Sequence, residues 1–189
     1  MKDKADAWQM EIATISWEFE ELLKDLSYAE INLKPQPSSW SIAENLSHLI
    51  RLNESYYPIF DQVIAGNYKP PFIGKVFFLA KSFGNLLYRA MTSKGKTKTF
   101  AIWEPVQSEF DLDIAEEFNR HQMELSAYVQ KLDPFFETGT VIHSPAHRFL
   151  VYPLDKAIDI IIAHEKRHLE QSKSILSSHG KTKNVKSGR

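Results

Sequence analysis

Apolar side chains recur three and four residues apart in every long hydrophobic stretch of this chain, and nowhere do they alternate over the length of a strand. That period is the one helices need to bury a single face, so the sequence predicts an all-α protein. The first stretch runs from about Asp6 to Ser27, with Trp8, Ile12, Ile15, Phe19, Leu22, Leu23 and Leu26 on one side. "NLKPQPSS" ends it, because Pro35 and Pro37 disfavour helix at the residues before them. "SSWSIAENLSHLIRLNESYYPIFDQVIAGN" restarts a helix. Ser41 with Glu44 makes a capping box there, Pro58 is expected to kink or end the helix, and Gly66-Asn67 to stop it.

A shorter helical pattern lies between Pro71 and Gly95, and "TKTFAIWEPVQS" after it reads as irregular. A third long helix is predicted from about Asp113 to Leu132, followed by the aromatic-rich connection "DPFFETGTVIHSPAHRFLVYP". The last helix starts near Leu154 and is expected to stop around His179-Gly180. Four long helices with long connections predict a four-helix bundle. The domain expected covers residues 1–180, with a flexible basic tail at 181–189.

Composition narrows the functions. A formal net charge of -1 argues against a nucleic-acid partner, which rewards a basic face. No window holds the ~20 apolar residues of a membrane span; the richest, "VFFLAKSFGNLLYRAM", is broken by Lys81, Asn85 and Arg89. With no cationic-then-apolar leader, a cytoplasmic location is expected. The absence of cysteine removes disulfides, thiolate nucleophiles and Cys-based metal sites, so a metal here would need His, Asp or Glu.

The last helix supplies such ligands. Ala157, Ile161, His164, His168, Gln171 and Ile175 share one narrow face, while Lys156, Asp159, Lys166, Glu170 and Lys173 lie on the other. Two imidazoles thus sit mid-stripe, one turn apart, where an unsatisfied polar group costs on the order of 2 kcal/mol. Separate hydrogen bonds across the core are one explanation. A divalent cation bound by both rings is the other, and it needs a third ligand.

"HEKRH" also matches the H-E-x-x-H pattern of zinc proteases, in which the Glu is the general base. That reading expects a further downstream ligand and a substrate-holding sheet. The extended motif would need Gly and His where this chain has Gln171 and Ser174. The other source of a third ligand is His48, on the second helix at the margin of its apolar stripe. A three-His site between facing helices would leave a coordination position open.

"SSWSIAENLSHLIRLNESYY" resembles the second-helix signature of the DinB-like superfamily, with Trp, a short polar gap, then Glu and His-Leu. "HSPAHRFLVYPLDKAIDIIIAHEKRHLEQ" resembles its C-terminal signature: a His- and aromatic-containing loop, Pro-Leu, His-x3-His and a Gln three residues on. The resemblance covers about residues 10 to 178. It implies a four-helix bundle holding one divalent metal between the second and last helices, on residues here matching His48, His164 and His168. The metals that suit such a site are Zn, Ni, Mn, Co or Fe.

The resemblance further implies a metal-dependent enzyme on a small-molecule substrate: a thiol S-transferase using a low-molecular-weight thiol such as bacillithiol or mycothiol, or a hydrolase. It also implies a homodimer. A non-catalytic bundle stapled by its metal is the competing reading. Glu165 is a candidate to contact a metal-bound water, against the alternative of a helix–helix salt bridge. Gln171 is a candidate donor or wall in the site. Glu44 either bonds the free ring nitrogen of His48 or serves the capping box. Trp40, Trp103, Phe149 and Tyr152 are candidates for an apolar mouth, and Arg148 or Arg167 for binding an anionic thiol. Residues 68–103 carry no matched signature.

Overall fold

The computed structural model describes residues 2–72, 77–92 and 99–186. Residues 73–76 and 93–98 of the middle stretch lie outside the described residues, as do 187–189 of the expected tail. The elements are α1 (Lys2–Leu23), α2 (Tyr28–Ile31), α3 (Ile42–Glu54), α4 (Tyr57–Ile64), α5 (Phe77–Thr92), α6 (Ile114–Phe136), β1 (Val141–Ser144), β2 (His147–Pro153) and α7 (Leu154–Lys186). A single 3-10 turn, Ala101–Trp103, stands between α5 and α6.

Four long helical stretches form the core, and α1 and α3 each pack against both α6 and α7. Ring contacts fix the directions. Trp8 meets Phe136 at 4.8 Å and Phe19 meets Phe118 at 4.9 Å, so α1 runs antiparallel to α6. The polar face of α7 meets α1 in parallel, through Trp8 Nε1–H to Asp159 (2.9 Å), Lys166 with Glu11 (3.0 Å) and Lys173 with Glu18 (2.6 Å). Between the helices lie fully buried side chains such as Phe19, Phe60, Phe118, Leu46, Leu49 and Leu125. Each contributes about 1.5–3 kcal/mol by leaving water.

Local signals act as their chemistry requires. Ser41 accepts from the Glu44 N–H (3.1 Å) while the Glu44 carboxylate accepts from the Ser41 N–H (2.8 Å), so Glu44 serves the capping box. Pro58 sits in the first turn of α4, where its missing N–H costs nothing, and the second helix is divided there into α3 and α4. Gly66, with φ of 69°, turns the chain after α4 while the Asn67 and Tyr68 N–H groups close back on Gln62.

The structure departs from expectation in three details. First, the chain is mostly helical, consistent with the all-α reading, but carries an antiparallel hairpin of β1 and β2, pairing Ile142 with Tyr152 and His143 with Val151. The fold is mostly helical with this one small sheet among the described residues. Second, α6 runs on through Pro134 to Phe136, where burial of Phe136 against Trp8 outweighs the proline's lost hydrogen bond. Third, α7 continues past Gly180 to Lys186.

α5 packs along β2 and α7. It comes this close because of Gly84: a Cβ there would lie 2.7 Å from Lys156 Cγ and 3.0 Å from Tyr152 Cβ. The Arg167 guanidinium donates to the Ala90 carbonyl (3.1 Å) and ties the far end of α5 to α7.

Candidate metal centre

α3 and α7 run antiparallel past one another, as the Asn45–His168 and His48–His164 contacts require. His48 leaves α3 toward α7, and His164 and His168 leave α7 one turn apart toward α3. All three are buried. His164 Nε2 lies 3.3 Å from His48 Nε2 and 3.1 Å from His168 Nε2, so three ring nitrogens face one point. Around a tetrahedral ion with metal–nitrogen bonds of roughly 2.1 Å, ligand nitrogens stand about 3.4 Å apart. The two distances from His164 are close to that, and all three nitrogens lie within 4.8 Å of one another.

Two of the rings have their tautomer set from behind. His48 Nδ1–H donates to the Trp103 carbonyl (2.7 Å), and His168 Nδ1–H donates to Asn45 Oδ1 (2.6 Å). The Asn45 amide is itself oriented by its donation to the Ser41 carbonyl (2.8 Å). With both Nδ1 atoms protonated, the facing Nε2 atoms present lone pairs. His164, between them, has no partner at Nδ1. A proton on its Nε2 answers one neighbour; a cation at the centre answers all three nitrogens at once. The donor set therefore fits one divalent ion.

Protonation of the trio is opposed. Burial pushes His48 down to about 4, partly offset by its bond to Trp103. Burial, then the charges of His48 and Arg167, hold His164 well below the usual imidazole range. His168 is lowered likewise, by burial first and then by His164, His48 and Arg167. Neutral imidazole is the form that binds metal.

The trio forms part of the wall of a cavity of about 770 Å³. Trp40, Trp103 and Tyr152 line it, as proposed for the mouth, and Trp40 covers His48 with ring centroids 4.7 Å apart. Phe149 does not join them: it points outward from β2, 65% exposed. Arg167 lines the cavity and Arg148 does not. Gln171 lines it too, one turn beyond His168 on the exposed side of α7.

Glu165 is placed elsewhere. Fully buried, it turns away from the cavity to accept from Asn53 Nδ2 (2.6 Å) and Gln122 Nε2 (3.0 Å). These partners are amides, so no salt bridge forms. Burial raises its carboxyl to about 7 against the pull of both amides. His143, half-buried beside Tyr68, and His147, exposed, take no part in the trio.

Sequence reading did not find Asn45, Asn53 or Gln122, and it placed Trp103 at the mouth without its carbonyl contact to His48. Asn45 and Asn53 stand on the buried side of α3, so an amide inside an apolar stripe was the available signal. Trp103 acts through its backbone carbonyl, which leaves no residue-type signal at all.

Three buried imidazoles converging between antiparallel helices, in a cavity wall, define a mostly helical protein with a donor set compatible with a single divalent ion. A family model described as the DinB superfamily matches residues 17–172, and the chain belongs to that family. No curated protein and no solved structure matches it. No described helix is long and apolar enough to cross a membrane.

Proposed function

We propose that the protein is a metal-dependent enzyme that activates a low-molecular-weight thiol, or water, at His48, His164 and His168 for reaction with a small molecule held in the cavity. One observation carries this: three ring nitrogens within 4.8 Å of one another lie in the wall of a space of about 770 Å³. Small-molecule sites occupy roughly 300–1,000 Å³. A divalent ion would supply Lewis acidity there, lowering the pKa of a thiol or water it ligates.

The chain's own residues would do the rest. Asn45 and the Trp103 carbonyl hold the two rings in the tautomer whose Nε2 is free. Trp40 and Trp103 exclude water on one side. Gln171 is the polar side chain best placed to touch a ligand beside His168. Glu165 holds α7 to α3 and α6 and is no general base in this proposal.

Two alternatives are disfavoured by placement. A stapled structural site would close with a fourth ligand, and among the described residues the group contains three. An H-E-x-x-H protease needs its Glu at the reacting water, whereas both Glu165 oxygens are taken on the far side of α7.

The test is metal content of untagged protein, wild type beside His168→Ala. About one divalent ion per chain in wild type, lost in the variant, is the expected outcome. Wild type that takes up no ion from Zn, Ni, Mn, Co or Fe would overturn it.

A further inference from the structure

The middle stretch, α5 and the 3-10 turn after it, makes the cavity wall across from the trio. Leu87, Ala90 and Met91 recur at helical spacing along α5 and line the cavity, while Phe78 and Leu86 point away from it. Phe100 and Trp103 continue this wall, with Phe100 set edge-on to Trp103 at 5.4 Å. On the α3 and α7 side, Leu52 and Ile160 flank the trio. Polar groups also line the cavity: Arg167, Gln171 and Ser174 on α7, and Thr99 and Glu104 on either side of the 3-10 turn. Ser38, Ser39 and Ser144 add to them elsewhere. Among the described residues, the face that α5 gives the cavity is apolar.

Several contacts hold the described parts of this wall against α3, β2 and α7. Gly84 lets α5 lie against Tyr152 and Lys156, and the Arg167–Ala90 bond fixes its other end. Arg51 donates to the Ile102 carbonyl (3.0 Å) and Trp103 Nε1–H to Ser55 Oγ (2.9 Å), fastening the 3-10 turn to α3. Rigid apolar walls discriminate by the area they desolvate.

We infer that the site takes small molecules with an apolar, aromatic-sized body joined to a metal-ligating head, and that Leu87 and Met91 of α5 determine this specificity. The inference rests on the proposed metal centre, and its test separates the two. Because the chain contains no cysteine, sulfur-to-cobalt charge transfer in the cobalt(II)-loaded protein reports added thiol alone.

The experiment titrates that band with 2-mercaptoethanol, 1-propanethiol and phenylmethanethiol on wild type and on Leu87→Trp, which narrows the cavity at its α5 wall. The expected result is affinity rising with body size, by about tenfold or more from the first thiol to the last. In Leu87→Trp the gain should vanish while cobalt content and 2-mercaptoethanol affinity stay unchanged. Equal affinities for the three thiols, or a preference that survives in Leu87→Trp, would overturn the specificity wall and leave the metal centre standing. Failure to load cobalt would overturn the metal centre itself. Should Leu87→Trp not fold, the wild-type series alone still decides whether body size is read.

Discussion

Asn45 does for His168 what no sequence motif records. Its Oδ1 accepts from the ring's Nδ1–H, and its own amide is fixed by the Ser41 carbonyl at the start of α3. The capping residue therefore orients a metal-ligand candidate through a single intervening side chain. Asn45→Ala should leave the helix in place but weaken metal affinity by roughly 10- to 100-fold, the usual cost of losing such a partner. A competitive chelator titration against wild type reads this directly, and unchanged affinity would refute the role. Glu165 belongs to the same scale with the opposite consequence. Replacing it by Leu strands the buried amide donors of Asn53 and Gln122, each costing about 1–3 kcal/mol. Glu165→Leu should thus lower unfolding free energy by several kcal/mol in urea melts of metal-free protein, and Glu165→Gln by less. A Glu165→Leu protein as stable as wild type would exclude the clamp.

Among the elements, α6 brings a titratable group into the core with no link to the metal centre. His121 stacks on Tyr57 at 5.4 Å and bonds its hydroxyl at 3.1 Å, and burial, then Arg120, lowers it to about 4. Its folded pKa lies below the unfolded value of about 6.5, so the unfolded chain binds the extra proton between them. The stability it protects is present above pH 6.5 and is lost as pH falls through 4. His121→Leu should flatten the acid limb of metal-free stability between pH 6.5 and 4 by on the order of 2–3 kcal/mol. Denaturant melts at a series of pH values check this, and parallel curves for the two proteins would count against it.

The elements also show what the sequence made legible. α1, α3, α6 and α7 were readable because each buries one face, and a 3.6-residue period survives any loop context. The hairpin was not. In β2, Val151, Tyr152 and Pro153 are all buried in succession, so the alternation that marks a strand never develops. Extension of α6 through Pro134 was equally hidden, because its cause is a contact with Trp8, more than a hundred residues away.

For the molecule as a whole, the trio joins α3 to α7 across buried positions, so an ion there would couple to global unfolding. His48, His164 and His168 were legible because two lie one turn apart on an apolar face and the third stands on the facing helix. The cavity was not, since its far wall comes from α5 and the turn at Ala101–Trp103, which only the tertiary fold brings opposite the trio. The native chain presents three preorganised nitrogens and the unfolded chain presents them far apart. Ion binding should therefore favour the folded state by about 2.7 kcal/mol when the free ion stands at 100 times its Kd. Thermal melts with and without the bound ion should differ by several degrees in wild type, and the difference should disappear in His168→Ala. A shift of equal size in that variant would place the ion somewhere other than between α3 and α7.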